Sequence, residues 1–346
     1  MEHMNRVYCL NTTFLNPLIP ILLMVAVFIL SSFLYKVDSS SLVIIISTFL
    51  VISFIPLSFC FSSKYYVNTS NLSLKSFPLP YTTTIIIILS SSVEYFKLGI
   101  PLFGHGIYAE FGYPFLHHVS VMSWLLLFTC NSFKNRIIFI LVMVFAFVNP
   151  LLMINRDLML LTCFVFIFIL LGKRKVSLKP ILILGSIFLF VFGLIGEYRS
   201  PGVIHTVDLP FSFNYEKMPA TIAWLFLYFT SSSFNMYYNI KTLGLNLYAS
   251  NINVFPEPYY WSSFFDSFIF FPIVIILYFI LLLSIRHYLL TKKTSELTLA
   301  LYLYCIYQVY TGLFAVKVFN THTLFVMLFL GVIQFCNILL HKKRRS

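Results

Sequence analysis

Apolar runs of about 20 residues recur along this chain, and they constrain its fold more than any other feature. Each run is long enough to cross a hydrocarbon layer of about 30 Å as a helix. Hydrophobic residues make up 60% of the 346 residues and charged residues 10%, whereas a soluble domain carries about 25% charged residues. Such a chain could not cover its own surface in water. The sequence therefore predicts an all-α, polytopic helical membrane protein with a single integral membrane domain over residues 1–346.

Ten of these runs are candidate transmembrane helices: 17–35, 41–62, 80–97, 116–131, 137–154, 158–172, 180–196, 265–285, 297–316 and 323–340. An eleventh run, 219–240, is ambiguous because serines and asparagines interrupt its second half. Lys and Arg accumulate in cytoplasmic loops. If 219–240 is re-entrant or interfacial, the basic groups at 173–179, 286–293 and 342–345 share one side, with both termini cytoplasmic. The alternative is a true span with a polar helix–helix contact, which gives eleven crossings.

On the ten-crossing topology, the outer face carries two long segments, about 98–115 and 197–264. It leaves 16 of the 23 Lys and Arg residues inside and nine of the 11 acidic residues outside. Segment 98–115 contains four glycines and two prolines, which favour a packed, turn-rich loop. Glu94 and Lys97 precede this loop at a spacing that lets them pair on one helix face.

The formal net charge of +12 is explained by cytoplasmic anchoring, so no nucleic-acid partner is expected. The basic C-terminus also attracts anionic membrane lipid. The six cysteines show no metal-ligand spacing, and neither zinc nor a disulfide framework is indicated. Walker A, GxSxG and HExxH motifs are absent, as is a DxD-like carboxylate pair. The missing DxD-like pair disfavours a cytoplasmic nucleotide-sugar enzyme and fits a donor sugar that is already activated on a lipid. We expect no cofactor and no metal.

Two arginines are the sharpest candidates for chemistry. Arg156 lies in a tight turn between two apolar spans, where an arginine is costly unless it faces a cavity or a partner. Arg199 directly follows the span 180–196. Because a guanidinium forks onto phosphate oxygens, the two together suit a diphosphate at the outer mouth. The alternatives are a salt bridge to Asp157 or snorkelling for Arg156, and an interfacial anchor for Arg199.

Several ionisable side chains at outer span ends or in outer loops could accept a proton. A histidine in such a position titrates near neutral pH, although an interfacial hydrogen-bonding role is the alternative. A carboxylate in a loop is otherwise simply solvated. The candidates are His117, His118, His322, Glu110, Glu197 and Glu257.

Two clusters of aromatic residues lie in the outer segments. Aromatic rings stack on sugar faces, and they also form the belt at a membrane–water boundary. Both interpretations fit these clusters, whose members are Tyr108, Phe111, Tyr113, Tyr259, Tyr260 and Trp261.

The chain resembles the Wzy-type O-antigen polymerases, also called oligosaccharide repeat-unit polymerases. The resemblance covers the whole length, with ten or more spans and a large outer loop late in the chain. Locally it rests on the segment Lys97-Leu98-Gly99-Ile100-Pro101-Leu102-Phe103 and on the positions of Arg156 and Arg199. It also includes Tyr228-Phe229-Thr230-Ser231 with Asn235 in the outer apolar run.

The resemblance implies a GT-C-like, lipid-dependent glycosyltransferase at the periplasmic face of the bacterial inner membrane. The donor is a polysaccharide on undecaprenyl diphosphate, and the acceptor is a lipid-linked repeat unit. Arg156 and Arg199 clamp the leaving group, and His322 or Glu197 deprotonates the acceptor hydroxyl. A chain-length-regulating co-polymerase is an implied partner. The substrate-binding candidates are Glu94, Lys97, Tyr108, His117, His118, Lys217, Tyr228, Asn235, Tyr259 and Trp261.

Other functions remain open on the sequence alone. A flippase or transporter of lipid-linked oligosaccharide has a similar span content, although the spans do not divide into two similar halves. An O-antigen ligase or a membrane O-acyltransferase is a third interpretation.

Overall fold

The computed structural model describes residues 7–11, 16, 18–35, 71–75, 80–104, 111–113, 115–117, 119–120, 124, 136–155, 157–164, 178–199, 201–202, 204, 211–212, 214–215, 217–228, 230, 280–287, 294–311, 324, 328 and 331–332. The described part is mostly helical, which confirms the predicted helical class. Within it, the stretch Thr84–Phe103 is long and apolar enough to cross a membrane, and Ile140–Leu152 is a shorter apolar helix.

In these ranges, eight helical stretches are continuous over eight or more residues, and three short strands are defined. The helices are α1 (Leu18–Leu34), α2 (Pro80–Leu98), α3 (Arg136–Leu152), α4 (157–164), α5 (Leu178–Arg199), α6 (220–228), α7 (280–287) and α8 (Glu296–Thr311). The strands are β1 (Val7–Asn11), β2 (Asn71–Lys75) and β3 (Thr294–Ser295). A short 3-10 turn, Pro101–Phe103, follows α2.

The strands form one sheet in the order β1-β2-β3. β1 pairs antiparallel with β2, with Val7 opposite Lys75 and Asn11 opposite Asn71. β3 joins the other edge of β2 in parallel, with Leu74 opposite Thr294. The sheet was not predicted from the sequence. It brings together three segments that are far apart along the chain.

Helix α8 lies at the centre of the described helices. Residues 302–309 are all buried, and a helix that is buried on every side belongs to the interior of a bundle. Helix α1 and strand β3 both contact it. The Tyr307 hydroxyl donates to the backbone oxygen of Asp157 at 2.8 Å and to its Oδ1 at 2.5 Å. The ring of Phe164 packs against Tyr307 and Tyr310, so α4 lies along α8.

Helices α2 and α3 are joined by a neutral polar network. Asn149 is fully buried, and its Nδ2 donates to Ser91 Oγ at 3.0 Å. Its Oδ1 accepts from the Tyr95 hydroxyl at 2.5 Å. Because each of these buried groups finds a partner on the other helix, the network fixes the register of α2 against α3.

Local hydrogen bonds stabilise the turn between α3 and α4. Ile154 has a φ of 50°, which is uncommon for a β-branched residue, and the Asn155 N–H donates to the carbonyl of Pro150 at 2.9 Å. Asn155 then caps α4, because its Oδ1 accepts from the Leu158 N–H at 3.0 Å. Helix α3 ends at Leu152 and the described part of α4 begins at 157, so only a few residues separate the two apolar helices.

Helix α5 meets helix α6 through two glycines on one face. A Cβ at Gly193 would lie 2.5 Å from the Thr221 carbonyl oxygen, and a Cβ at Gly196 would lie 3.1 Å from the Trp224 ring. The backbones can approach this closely because glycine has no side chain. Phe192 packs edge-on against Tyr228 at 5.0 Å beside this contact.

We predict that Gly193→Ala destabilises the protein by about 1–3 kcal/mol, because the new methyl group must push the two backbones apart. Gly185→Ala on the same helix is the matched control, since a Cβ there meets nothing within 4 Å. Alanine stabilises an unobstructed helix position by about 0.5–1 kcal/mol relative to glycine. Thermal unfolding of the purified variants measures both effects. Equal stability of the two variants would contradict the close α5–α6 contact.

Candidate functional site

Several chain segments converge on one cluster of apolar side chains, which we term the apolar junction. Its buried members are Ile154 from the α3–α4 turn, Met159 from α4 and Ile195 from α5. Partly buried hydrophobic residues pack against it, namely Leu102, Leu151, Phe188 and Val191. The Tyr198 hydroxyl also donates to the Leu102 carbonyl at 2.5 Å, which ties the end of α5 to the 3-10 turn after α2.

Arg199 lies next to the apolar junction. It is the last residue of α5 and is half-buried. It follows Ile195 by four residues, so it lies one helical turn, about 6 Å along the axis, beyond that junction residue. The helix runs further than the predicted span end at 196, and Arg199 therefore belongs to its last turn.

Arg156 lies outside the described residues. Its neighbours are described: Asn155 follows the junction residue Ile154, and Asp157 precedes the junction residue Met159 by two positions. The junction thus contains Ile154 and Met159, which lie two and three positions from Arg156 in the chain, and Ile195, which lies four positions before Arg199.

Glu197 serves as a tether between α5 and α6. Its Oε1 accepts from the Gly202 N–H at 2.7 Å, and its Oε2 accepts from the Trp224 Nε1–H at 3.1 Å. Gly202 adopts a φ of 69° in the turn beyond the helix, a conformation that favours glycine. A carboxylate with a donor on each oxygen holds this turn in place. Both oxygens of Glu197, a predicted base, thus carry structural hydrogen bonds.

Glu94 lies in the last third of α2 and is 0% exposed. The Tyr113 N–H donates to its Oε1 at 3.2 Å, and the Nδ1 of His117 lies 3.4 Å from the same oxygen. Among the described residues, Glu94 Oε2 has no hydrogen-bond partner. The His117 side chain is 19% exposed, so the imidazole forms the accessible side of this pair.

The expected ion pair between Glu94 and Lys97 is not formed. Lys97 is exposed, whereas the Glu94 carboxylate turns into the protein toward His117. Neighbouring positions on a helix allowed the predicted pair, but the long lysine side chain is better hydrated in water than buried beside α2.

The loop that leads to His117 has a defined shape. Gly112 has a φ of 121°, and a Cβ there would lie 3.5 Å from Cγ of the His117 ring. The His117 N–H donates to the Tyr113 carbonyl at 2.8 Å. Sequence reasoning predicted a turn-rich loop but did not identify Gly112 as a site residue. The available signal was a glycine beside an aromatic residue. It could not be interpreted from the sequence, because the contact between Tyr113 and Glu94 was not predicted.

The remaining candidates fall into three groups. Tyr228 is buried between Phe192 and Trp224, so its ring serves packing in the described structure. Lys217 is exposed in the turn before α6. The other candidates lie outside the described residues: Tyr108, Glu110, His118, Asn235, Glu257, Tyr259, Trp261 and His322.

The described residues contain no group of three or more His, Cys, Asp and Glu side chains that could hold a metal ion. Comparisons of the chain with models of protein families, with curated proteins and with solved structures gave no match.

Proposed function

We propose that this protein is an O-antigen polymerase of the bacterial inner membrane. It joins undecaprenyl-diphosphate-linked oligosaccharide repeat units into polysaccharide at the periplasmic face, without a metal or another cofactor. Membrane lipid and a chain-length-regulating co-polymerase are its proposed partners. The family resemblance supports the reaction, and the arrangement around the apolar junction supports the assignment of the arginines.

Exposed apolar surface on the helices supports the membrane location. On α2, Ile85, Leu89, Val93 and Phe96 follow helical spacing, and Phe96 is 88% exposed. Helix α5 exposes a similar set, consisting of Leu182, Ile183, Ile187, Phe190 and Leu194. Soluble monomers rarely expose contiguous apolar patches of this extent, whereas lipid covers them at no cost.

The strand pairing supports the ten-crossing topology. Strands that share hydrogen bonds lie on the same side of a membrane, so an even number of crossings must separate them. Six candidate spans lie between β2 and β3 when 219–240 is not counted, and seven when it is. The pairing thus favours a re-entrant or interfacial 219–240, with β1, β2 and β3 all cytoplasmic.

The main support for the arginine assignment is that the apolar junction joins Ile154 and Met159, which flank Arg156 in the chain, to Ile195, which lies one helical turn before Arg199. In this proposal the guanidinium groups of Arg156 and Arg199 hold the diphosphate of the donor lipid. Negative charge grows on this group as the bond to the anomeric carbon breaks, and fixed cations in a water-poor site stabilise that charge more than the ground state. The acceptor hydroxyl then attacks the same carbon.

We predict that Arg199→Ala lowers the polymerisation rate by about 100-fold to 1,000-fold, because the transition state loses one fixed charge. Cells that carry the variant should export lipopolysaccharide with single repeat units. Arg199→Lys should retain intermediate activity, since it keeps the charge but loses the fork. Gel analysis of lipopolysaccharide, with immunoblots of the membrane fraction, measures both activity and protein level.

Arg136→Ala is the matched control, because it removes the same side chain at the start of α3, on the predicted cytoplasmic side. It should give a normal ladder. Long ladders from Arg199→Ala would reject the clamp. Deletion of the whole gene separates the alternatives: loss of a flippase traps repeat units inside, and loss of a ligase removes even the single-unit product.

We further predict that alkaline phosphatase fused after Lys217 is active, because this position faces the periplasm in the ten-crossing topology. The same reporter fused after Ser295 should be inactive. Activity of the second fusion would mean that 219–240 crosses the membrane, whatever the reaction of the protein is. Fusions to a fluorescent protein that matures only in the cytoplasm give the complementary readout.

A further inference from the structure

We infer that Glu94 and His117 form the proton-accepting pair of the proposed polymerase, with His117 as the base and Glu94 as its positioning residue. This inference rests on the proposed function. It assigns the one role that the arginines cannot fill, which is removal of the proton from the acceptor hydroxyl.

In this pair a buried carboxylate lies next to one ring nitrogen of a partly exposed imidazole. Glu94 Oε1 lies 3.4 Å from Nδ1 of His117, and the carboxylate is fully buried while the imidazole is partly exposed. A carboxylate on one ring nitrogen fixes the tautomer and stabilises the imidazolium that forms when the other nitrogen takes a proton. At 3.4 Å these two atoms lie at ion-pair distance and do not form a hydrogen bond with each other, and such contacts often shorten only when the substrate binds.

The loop fixes both members of the pair. The Tyr113 N–H holds Glu94 Oε1 at 3.2 Å, and the Tyr113 carbonyl accepts from the His117 N–H. Gly112 supplies the φ of 121° that this turn requires, and a Cβ built on it would be in van der Waals contact with His117. The short segment around Tyr113 therefore sets the position of the Glu94 carboxylate relative to the His117 imidazole.

A purely structural role explains this pair poorly. The same helix already has a structural join to α3 through Asn149, and that join uses neutral groups that are all paired. At Glu94 one oxygen takes both interactions, and Oε2 has no partner among the described residues. A buried carboxylate oxygen without a hydrogen-bond partner costs stability. Such a cost is typical of positions that serve chemistry.

The proposed step balances without a further reactant. The acceptor oxygen forms a bond to the anomeric carbon of the donor chain as its proton moves to the imidazole of His117. The bond between that carbon and the diphosphate oxygen breaks, and its electron pair leaves with undecaprenyl diphosphate. The imidazolium later returns the proton to solvent, and Glu94 takes no part in the bond changes.

The test uses the purified full-length protein and lipid-linked repeat units extracted from cells that lack it. We expect His117→Ala to lower kcat by about 100-fold to 10,000-fold with KM unchanged, which is the range for loss of a general base. Added imidazole should restore part of the lost turnover. Glu94→Gln keeps the size of the side chain and its acceptor for the Tyr113 N–H, and it should lower kcat by less than His117→Ala does.

His287→Gln is the matched control, since His287 is half-buried at the end of α7 on the predicted cytoplasmic side. It should leave turnover unchanged. Full turnover of His117→Ala, or a loss that imidazole does not restore, would overturn the assignment while leaving the polymerase intact. Absence of polymerisation by the wild-type protein, together with normal ladders in the deletion strain, would instead reject the proposed function itself.

Discussion

The close approach of α5 to α6 at Gly193 and Gly196 is the contact on which the candidate site depends. It brings the backbone of α6 against α5. Trp224 can then reach Glu197 from the next turn. From this point the C-terminal half of α5 contacts the α3–α4 turn through Ile195, and Tyr198 reaches the segment after α2. A larger side chain at Gly193 would therefore disturb several segments together.

Polar contacts between helices follow a repeated pattern in this apolar chain. The Thr230 hydroxyl donates to the Phe226 carbonyl of its own helix at 2.6 Å and interacts with the Tyr35 hydroxyl at 2.7 Å. Thr162 does the same, since its hydroxyl donates to the Leu158 carbonyl and accepts from Trp124 Nε1, both at 2.7 Å. In each case the threonine hydroxyl donates its hydrogen to a backbone carbonyl four residues earlier, and its oxygen accepts a hydrogen bond from an aromatic side chain. Distant segments are thus joined without a buried charge.

Most described helices could be predicted from the sequence because hydrophobic length is a local property. The predicted span 80–97 corresponds to helix Pro80–Leu98, and 137–154 corresponds to Arg136–Leu152. The sheet could not be predicted in this way. Its strands are short, and β2 pairs with β3, which lies more than 200 residues away along the chain. Which segments pair depends on the packing of the helices between them.

The sequence indicates which residues are candidates for the site, but not which partners they contact. The sequence offers Glu94 and His117 as substrate-binding candidates and Glu197 as an alternative base, but the partner of each lies elsewhere in the chain. For Glu197 the structure gives Trp224 and Gly202 as partners. The sequence predicts an ion pair between Glu94 and Lys97, because residues three apart on a helix lie on the same face. Tertiary packing decided otherwise in both cases.

The acidic residues of the described site differ in the kind of donor that each one meets. Glu197 accepts from the indole N–H of Trp224, and Asp157 accepts from the hydroxyl of Tyr307. An indole N–H does not ionise at neutral pH, and a phenol gives up its proton only near pH 10 in water. These two carboxylates therefore anchor aromatic side chains. Glu94 differs because the side chain beside it is an imidazole, which can gain and lose a proton in the physiological range. The same carboxylate group thus anchors an aromatic side chain at two positions and at the third lies beside the proposed proton acceptor, according to the partner that the fold supplies.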